Sequence, residues 1–89
     1  MAYYRIEWKR SAQKELRHLP KEVLAGVLEI VAALSHEPIP TGARKLSSAE
    51  RLYRLRIGDY RIIYSIHGAR LVIEIVRVRH RRDVYRNLS

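Results

Sequence analysis

The stretch Leu52–Arg61, L-Y-R-L-R-I-G-D-Y-R, leaves this chain few choices of fold. Over Leu52–Ile57 the residues alternate as in a strand with one covered face: Tyr53, Leu55 and Ile57 to one side, Leu52, Arg54 and Arg56 to the other. Gly58-Asp59 then supplies a tight turn, because glycine accepts the positive φ that a two-residue hairpin loop requires. Tyr60–Ile66 alternates again, with Tyr60, Ile62, Tyr64 and Ile66 opposed to Arg61, Ile63 and Ser65. The pattern predicts an antiparallel hairpin that gathers Arg54, Arg56 and Arg61 onto one surface. Function is expected on that surface.

The flanking segments say what covers the hairpin. Tyr3–Lys9 reads as a first strand, with Tyr4, Ile6 and Trp8 on one face. Ser11 stands where a helix N-cap belongs, and Ala12, Leu16 and Leu19 follow at helical spacing. Pro20 breaks that helix and suits the first turn of another. The second helix is predicted over Lys21–Ser35, with Val23, Leu24, Val27, Leu28, Val31 and Leu34 as its apolar stripe. The prolines and glycine of His36–Gly42 mark a loop, and Ala43–Leu46 a short extended piece that brings Arg44 and Lys45 beside the arginine face. Arg70–Arg79, apolar on both faces through Val72, Ile73, Ile75, Val76 and Val78, reads as a central strand, and Arg81–Leu88 as a short C-terminal helix. The order is β-α-α-β-β-β-α in a single domain, residues 1–89. The class is α+β, a mostly antiparallel four-stranded sheet packed by a two-helix hairpin.

Charge narrows the function. Residues 51–89 carry 10 Arg, no Lys and 3 acids, a net of +7, whereas residues 1–50 net only +2. Arginine's planar fork suits bidentate phosphate contacts and stacks on bases. The partner is therefore expected to be polyanionic, either nucleic acid or an acidic protein that masks the patch. The absence of cysteine excludes disulfides and thiolate metal sites. His18, His36, His67 and His80 have no ligand spacing, so no metal or cofactor is expected. No phosphate-binding glycine loop or nucleophile elbow occurs, and the glutamates are scattered over strand, helices and loops as a solvated surface would have them. No apolar run approaches membrane length and the N-terminus lacks a secretion signal's apolar core, so the expected location is cytoplasmic. Tyr85 differs from the other tyrosines. It lies among the arginines of the C-terminal segment, where a catalytic or base-stacking role is expected.

The segments Y-R-L-R-I-G-D-Y-R-I-I-Y and I-V-R-V-R-H-R-R-D-V-Y resemble the RelE/ParE superfamily of toxins from toxin–antitoxin modules, and the order of elements agrees across essentially the whole chain. RelE-like members are ribosome-dependent mRNA endonucleases that cut in the A site, each neutralised by a cognate antitoxin. ParE-like members poison DNA gyrase on a similar scaffold. The resemblance implies a metal-independent mRNA interferase with no cofactor and no membrane, whose partners are the ribosome, mRNA and a RelB-like antitoxin. A gyrase poison and a non-catalytic basic RNA-binding module are the alternatives.

Residue by residue, Arg54 and Arg56 stand where RelE toxins carry basic residues, often lysine, and Arg61 matches the arginine just after the hairpin turn. Arg79 and Arg81 both answer to the arginine of the last strand; Arg81 is preferred because H-R-R-D-V-Y is a familiar ending in the superfamily. Tyr85 matches the C-terminal tyrosine and favours the RelE reading. The implied catalytic set is Arg56, Arg61, Arg81 and Tyr85, with Arg54, Lys45, Arg79 and His80 on the RNA. Arginine, with a pKa above ~12, hardly deprotonates, which leaves His80 and Tyr85 for proton transfer. Arg61 and Arg81 are expected to face solvent, so that truncating either should cost under about 0.5 kcal/mol of stability. The antitoxin is expected to cover Arg54, Arg56 and Arg61 or to displace the Arg81–Leu88 helix.

Overall fold

A computed structural model describes residues 3–47 and 51–80. The predicted C-terminal helix, with Arg81 and Tyr85, lies outside the described residues. Strand β1 (Arg5–Trp8) leads into α1 (Arg10–Leu16) and α2 (Lys21–Leu34), and these into β2 (Arg44–Ser47), β3 (Leu52–Ile57), β4 (Tyr60–His67) and β5 (Val72–His80). The sheet has five strands rather than four, in the order β1-β5-β4-β3-β2. It is mixed, because β1 runs parallel to β5 while every other pair is antiparallel. The strand that follows the helices, β2, runs opposite to β1, and three antiparallel reversals from β2 to β5 leave β5 parallel to β1. The short piece after the proline loop is a true edge strand, β2, paired to β3 with a bulge between Lys45 and Ser47.

The hairpin forms as its alternation predicts. Ile57 faces Tyr60 across Gly58-Asp59, with Gly58 at φ +57°, the left-handed backbone that glycine adopts without steric cost. Leu55, Ile62, Tyr64, Ile73, Ile75 and Val78 pack against Ala12, Val27, Val31 and Leu34 of the helices as one core. Each fully buried aliphatic side chain contributes roughly 1.5–3 kcal/mol. Gly26 lets α2 approach β3 closely, since a Cβ there would lie 2.6 Å from Ile57 Cδ1. The helical stripe is narrower than predicted. Leu28 is exposed, while Ile30 packs against the core instead. Tyr64 is fully buried, and its hydroxyl donates to the Pro38 carbonyl at 2.8 Å, tying the proline loop to the sheet.

Two local expectations are corrected where α1 meets the sheet. Ser11 is not an N-cap: α1 begins at Arg10 after Lys9, with no side-chain cap, and Ser11 Oγ donates to the Val76 carbonyl at 2.8 Å. The reason is that β1 pairs only with Val72–Ile75, leaving the rest of the β5 edge bare of strand. Residues of α1 take its place along that edge.

The second correction is a bulge. Tyr64 faces Ile75 but Ile63 faces Arg77, so Val76 is inserted without a partner. Side chains alternate with a period of two, so one inserted residue reverses the phase of everything after it. Ile73 and Ile75 point to the helices before the bulge, and Val78 does so after it. Arg77 and Arg79 are thereby turned to the face away from the helices. No helix among the described residues is long and apolar enough to cross a membrane.

Candidate functional site

The sheet face opposite the helices carries arginines in two registered rows. Arg56 of β3, Arg61 of β4 and Arg79 of β5 stand directly opposite one another. One pleat away, Arg44 of β2 faces Arg54, Arg54 faces Ile63, and Ile63 faces Arg77. Neighbouring strands lie about 4.8 Å apart, so the first row spans roughly 10 Å, and residues two apart on a strand put the rows about 6.7 Å apart. Between the hairpin and the β2 edge, Gly42, Ala43, Arg44, Arg54 and Arg56 line a cleft of about 440 Å³.

Like charges directly opposite on a sheet are destabilising, so such a grid is not built for stability. Among the described residues, Glu15 relieves it at the β5 end. Glu15 Oε2 of α1 lies 2.8 Å from Arg79 Nε and 3.4 Å from Arg77 Nη1. Arg61, in the middle of the first row, has no carboxylate partner among the described residues. It is only 5% exposed, contrary to the expectation of a solvent-facing side chain, and its Nε is buried with no hydrogen-bond partner among the described residues. A buried guanidinium donor that no described group satisfies is suited to receive an anion.

The remaining sequence candidates fall into separate places. Arg54 and Arg56 lie on the arginine face, as predicted, and Arg79 joins them. Arg44 does too, but Lys45 does not. It pairs in register with Tyr53, on the helix side of the sheet, with Nζ 6.0 Å from the Tyr53 ring centroid. His80 does not join the arginine face either: it pairs with Tyr60 on the helix side of the sheet, in phase with Val78 and Ile62, the two rings edge to face at 5.5 Å. Both line a cleft of about 260 Å³ with Glu15, His18, Val78 and Arg79, at the end of the first arginine row. Arg81 and Tyr85 are outside the described residues. Sequence reasoning missed Arg77 and Glu15. A strand pattern read without its bulge puts Arg77 on the face of Ile73 and Ile75, and an isolated helical glutamate carries no local sign of a partner 62 residues away. Among the described residues no group of three or more His, Cys, Asp or Glu could hold a metal ion.

Comparison with known proteins agrees with this geometry. Residues 6–85 match the family described as "ParE toxin of type II toxin-antitoxin system, parDE". Toxin RelG of Mycobacterium tuberculosis is 33% identical over 84 residues, covering 93% of this chain and 97% of the relative. Toxin RelE of the same organism is 30% identical, over 93% of this chain and 87% of its own length. The archaeal RelE in its RelE–RelB complex from Pyrococcus horikoshii superposes with a TM-score of 0.81 at 36% identity, covering 89% of this chain and 96% of that one. A sheet face of arginines on a two-helix scaffold, in a chain so similar to these, makes this protein a member of the ParE toxin family within the RelE/ParE toxin superfamily.

Proposed function

We propose that the chain is the toxin of a toxin–antitoxin module and arrests translation as a ribosome-dependent, metal-independent mRNA endonuclease. The observation that carries this reading is the row Arg56–Arg61–Arg79, with Arg61 buried and its Nε unpaired among the described residues. Cleavage without a metal requires the 2′-hydroxyl to attack the adjacent phosphorus in line. Negative charge grows on the phosphate oxygens as the 5′-oxygen leaves. Donors already fixed where that charge develops need no reorganisation at the moment of reaction, which is why they accelerate it. Arg61 and Arg56 are assigned to the scissile phosphate, with Arg81 and Tyr85 completing the catalytic set. Arg54, Arg79 and Arg44 hold the flanking backbone. Tyr85 is assigned to proton transfer, and His80, on the helix side with Tyr60, would reach the phosphate only around the end of the strand. Lys45, placed beside Tyr53, would reach RNA only around the β2 edge.

The neighbours in complex with RelB support a RelB-like antitoxin as the partner that silences the site, by covering the arginine face or by displacing residues 81–88. The matched family's name favours a second reading, a ParE-like gyrase poison. Induced expression separates the two. Primer extension on RNA from arrested cells should reveal new 5′ ends within codons of translated messages. Intact transcripts together with loss of gyrase supercoiling would transfer the case to the second reading.

A further inference from the structure

We infer that Glu15 is a positioning residue of the phosphate site: through one carboxylate oxygen it fixes the guanidinium of Arg79, and with it Arg77, at the end of the arginine row. The inference rests on reading that row as an RNA-phosphate site.

Glu15 divides its oxygens between two tasks. Oε1 accepts the Val78 backbone N–H at 2.8 Å, on the length of β5 that β1 does not reach. Beside it, Ser11 Oγ accepts nothing from the strand but donates to the carbonyl of Val76, the bulged residue. These two contacts brace the bulge that turns Arg77 and Arg79 outward. A neutral side chain would serve the brace equally well, since an amide oxygen accepts an N–H as a carboxylate does. The negative charge is therefore surplus to the structural task.

That charge is spent on the other oxygen. Oε2 meets Arg79 Nε at 2.8 Å and Arg77 Nη1 at 3.4 Å, with only 16% of the Glu15 side chain exposed. Contact through Nε fixes the plane of the Arg79 guanidinium and leaves free the end-on pair of N–H donors, one on each Nη. Those are the donors that a phosphate takes in a bidentate fork. Glu15 also sets an asymmetry along the row. Arg79 has a carboxylate partner, whereas Arg61 has none among the described residues, which favours an incoming anion at Arg61. A phosphate is drawn to Arg61, with Arg79 held ready beside it.

The test compares purified wild type with Glu15→Gln, Arg79→Ala, the double variant and Ser11→Ala. Two quantities are measured: affinity for a short single-stranded RNA over a range of salt, and single-turnover cleavage of mRNA on programmed ribosomes at saturating toxin. Glu15→Gln keeps an oxygen for Val78 N–H and should bind RNA at least as tightly as wild type. Its salt slope should steepen by about 0.7, the value of one added phosphate contact to a single strand. Its cleavage should nevertheless slow by about tenfold to a hundredfold, the cost of a misplaced group. In the Arg79→Ala background the same change should add no further loss. Unchanged cleavage, or an equal loss in both backgrounds, would overturn the inference. So would Ser11→Ala reproducing the split, since it loosens the brace without touching charge. Should Glu15→Gln not fold, Arg79→Lys carries the test. Lysine keeps the charge but has no Nε fork to hold, so wild-type cleavage by that variant would refute the role. A wild type that neither binds nor cleaves RNA would instead sink the functional reading itself.

Discussion

Replacing Arg61 with methionine should make the protein more stable and destroy its activity. Arg61 stands in register between Arg56 and Arg79, is 5% exposed, and has a buried Nε with no hydrogen-bond partner among the described residues. A buried polar group left unsatisfied costs about 1–3 kcal/mol. Methionine keeps most of the apolar stem that packs on the sheet and removes both the orphaned donor and the repulsion with two cross-strand arginines. Taking only the lower end, a gain of about 1 kcal/mol raises Tm by roughly 4–8 °C in a domain of this size. Thermal unfolding by circular dichroism, at low and at moderate salt, measures it directly. The gain should shrink as salt screens the row, though not vanish, because a buried charge is screened less than an exposed one. A folded Arg61→Met variant with equal or lower Tm would show that the free protein already compensates the Arg61 charge. The argument for a preformed anion receptor would then fail.

Other perturbations read other parts of the molecule. Burial, reinforced by the neighbouring Tyr53, pushes the Tyr64 hydroxyl up from 10.0 to about 12. A proton held more tightly in the folded state stabilises fully below pH 10, and that contribution is lost as pH rises toward about 12. Urea midpoints should fall across that window by up to about 1.4 kcal/mol per pH unit, and Tyr64→Phe should flatten the fall. The same variant should lose about 1 kcal/mol at neutral pH with the hydrogen bond to Pro38, and an unchanged neutral midpoint would discount that bond. Ser11→Ala should cost about 1 kcal/mol by freeing the Val76 carbonyl, seen as a lower Tm. Arg56→Ala, on an exposed position, should leave Tm within about 0.5 kcal/mol of wild type. It should also lower the salt slope of RNA binding by about 0.7, so an unchanged slope would remove Arg56 from the phosphate contacts.

The sequence by itself determined the hairpin, the two helices with their break at Pro20, and the greasy last strand, because each is a local pattern. Alternation over Leu52–Ile57 and Tyr60–Ile66 names both faces of those strands, and Gly58 names the turn between them. It also determined that Arg54, Arg56 and Arg61 share a surface, since cross-strand neighbours follow from the turn's register. What the tertiary structure decided is everything that depends on residues distant in the chain. The parallel partnership of β1 with β5 follows from three antiparallel reversals between β2 and β5, and the edge strand β2 from the hairpin that it joins. Val76 offers no compositional sign of a bulge, yet that one inserted residue puts Arg77 and Arg79 on the site instead of in the core. Glu15 reads as solvated surface in a helix of seven residues, and becomes the anion of Arg79 only because α1 lies along an edge that β1 is too short to cover. A period-two pattern records which face a strand buries. It does not record where the count is interrupted, and the chemistry of this face begins at that interruption.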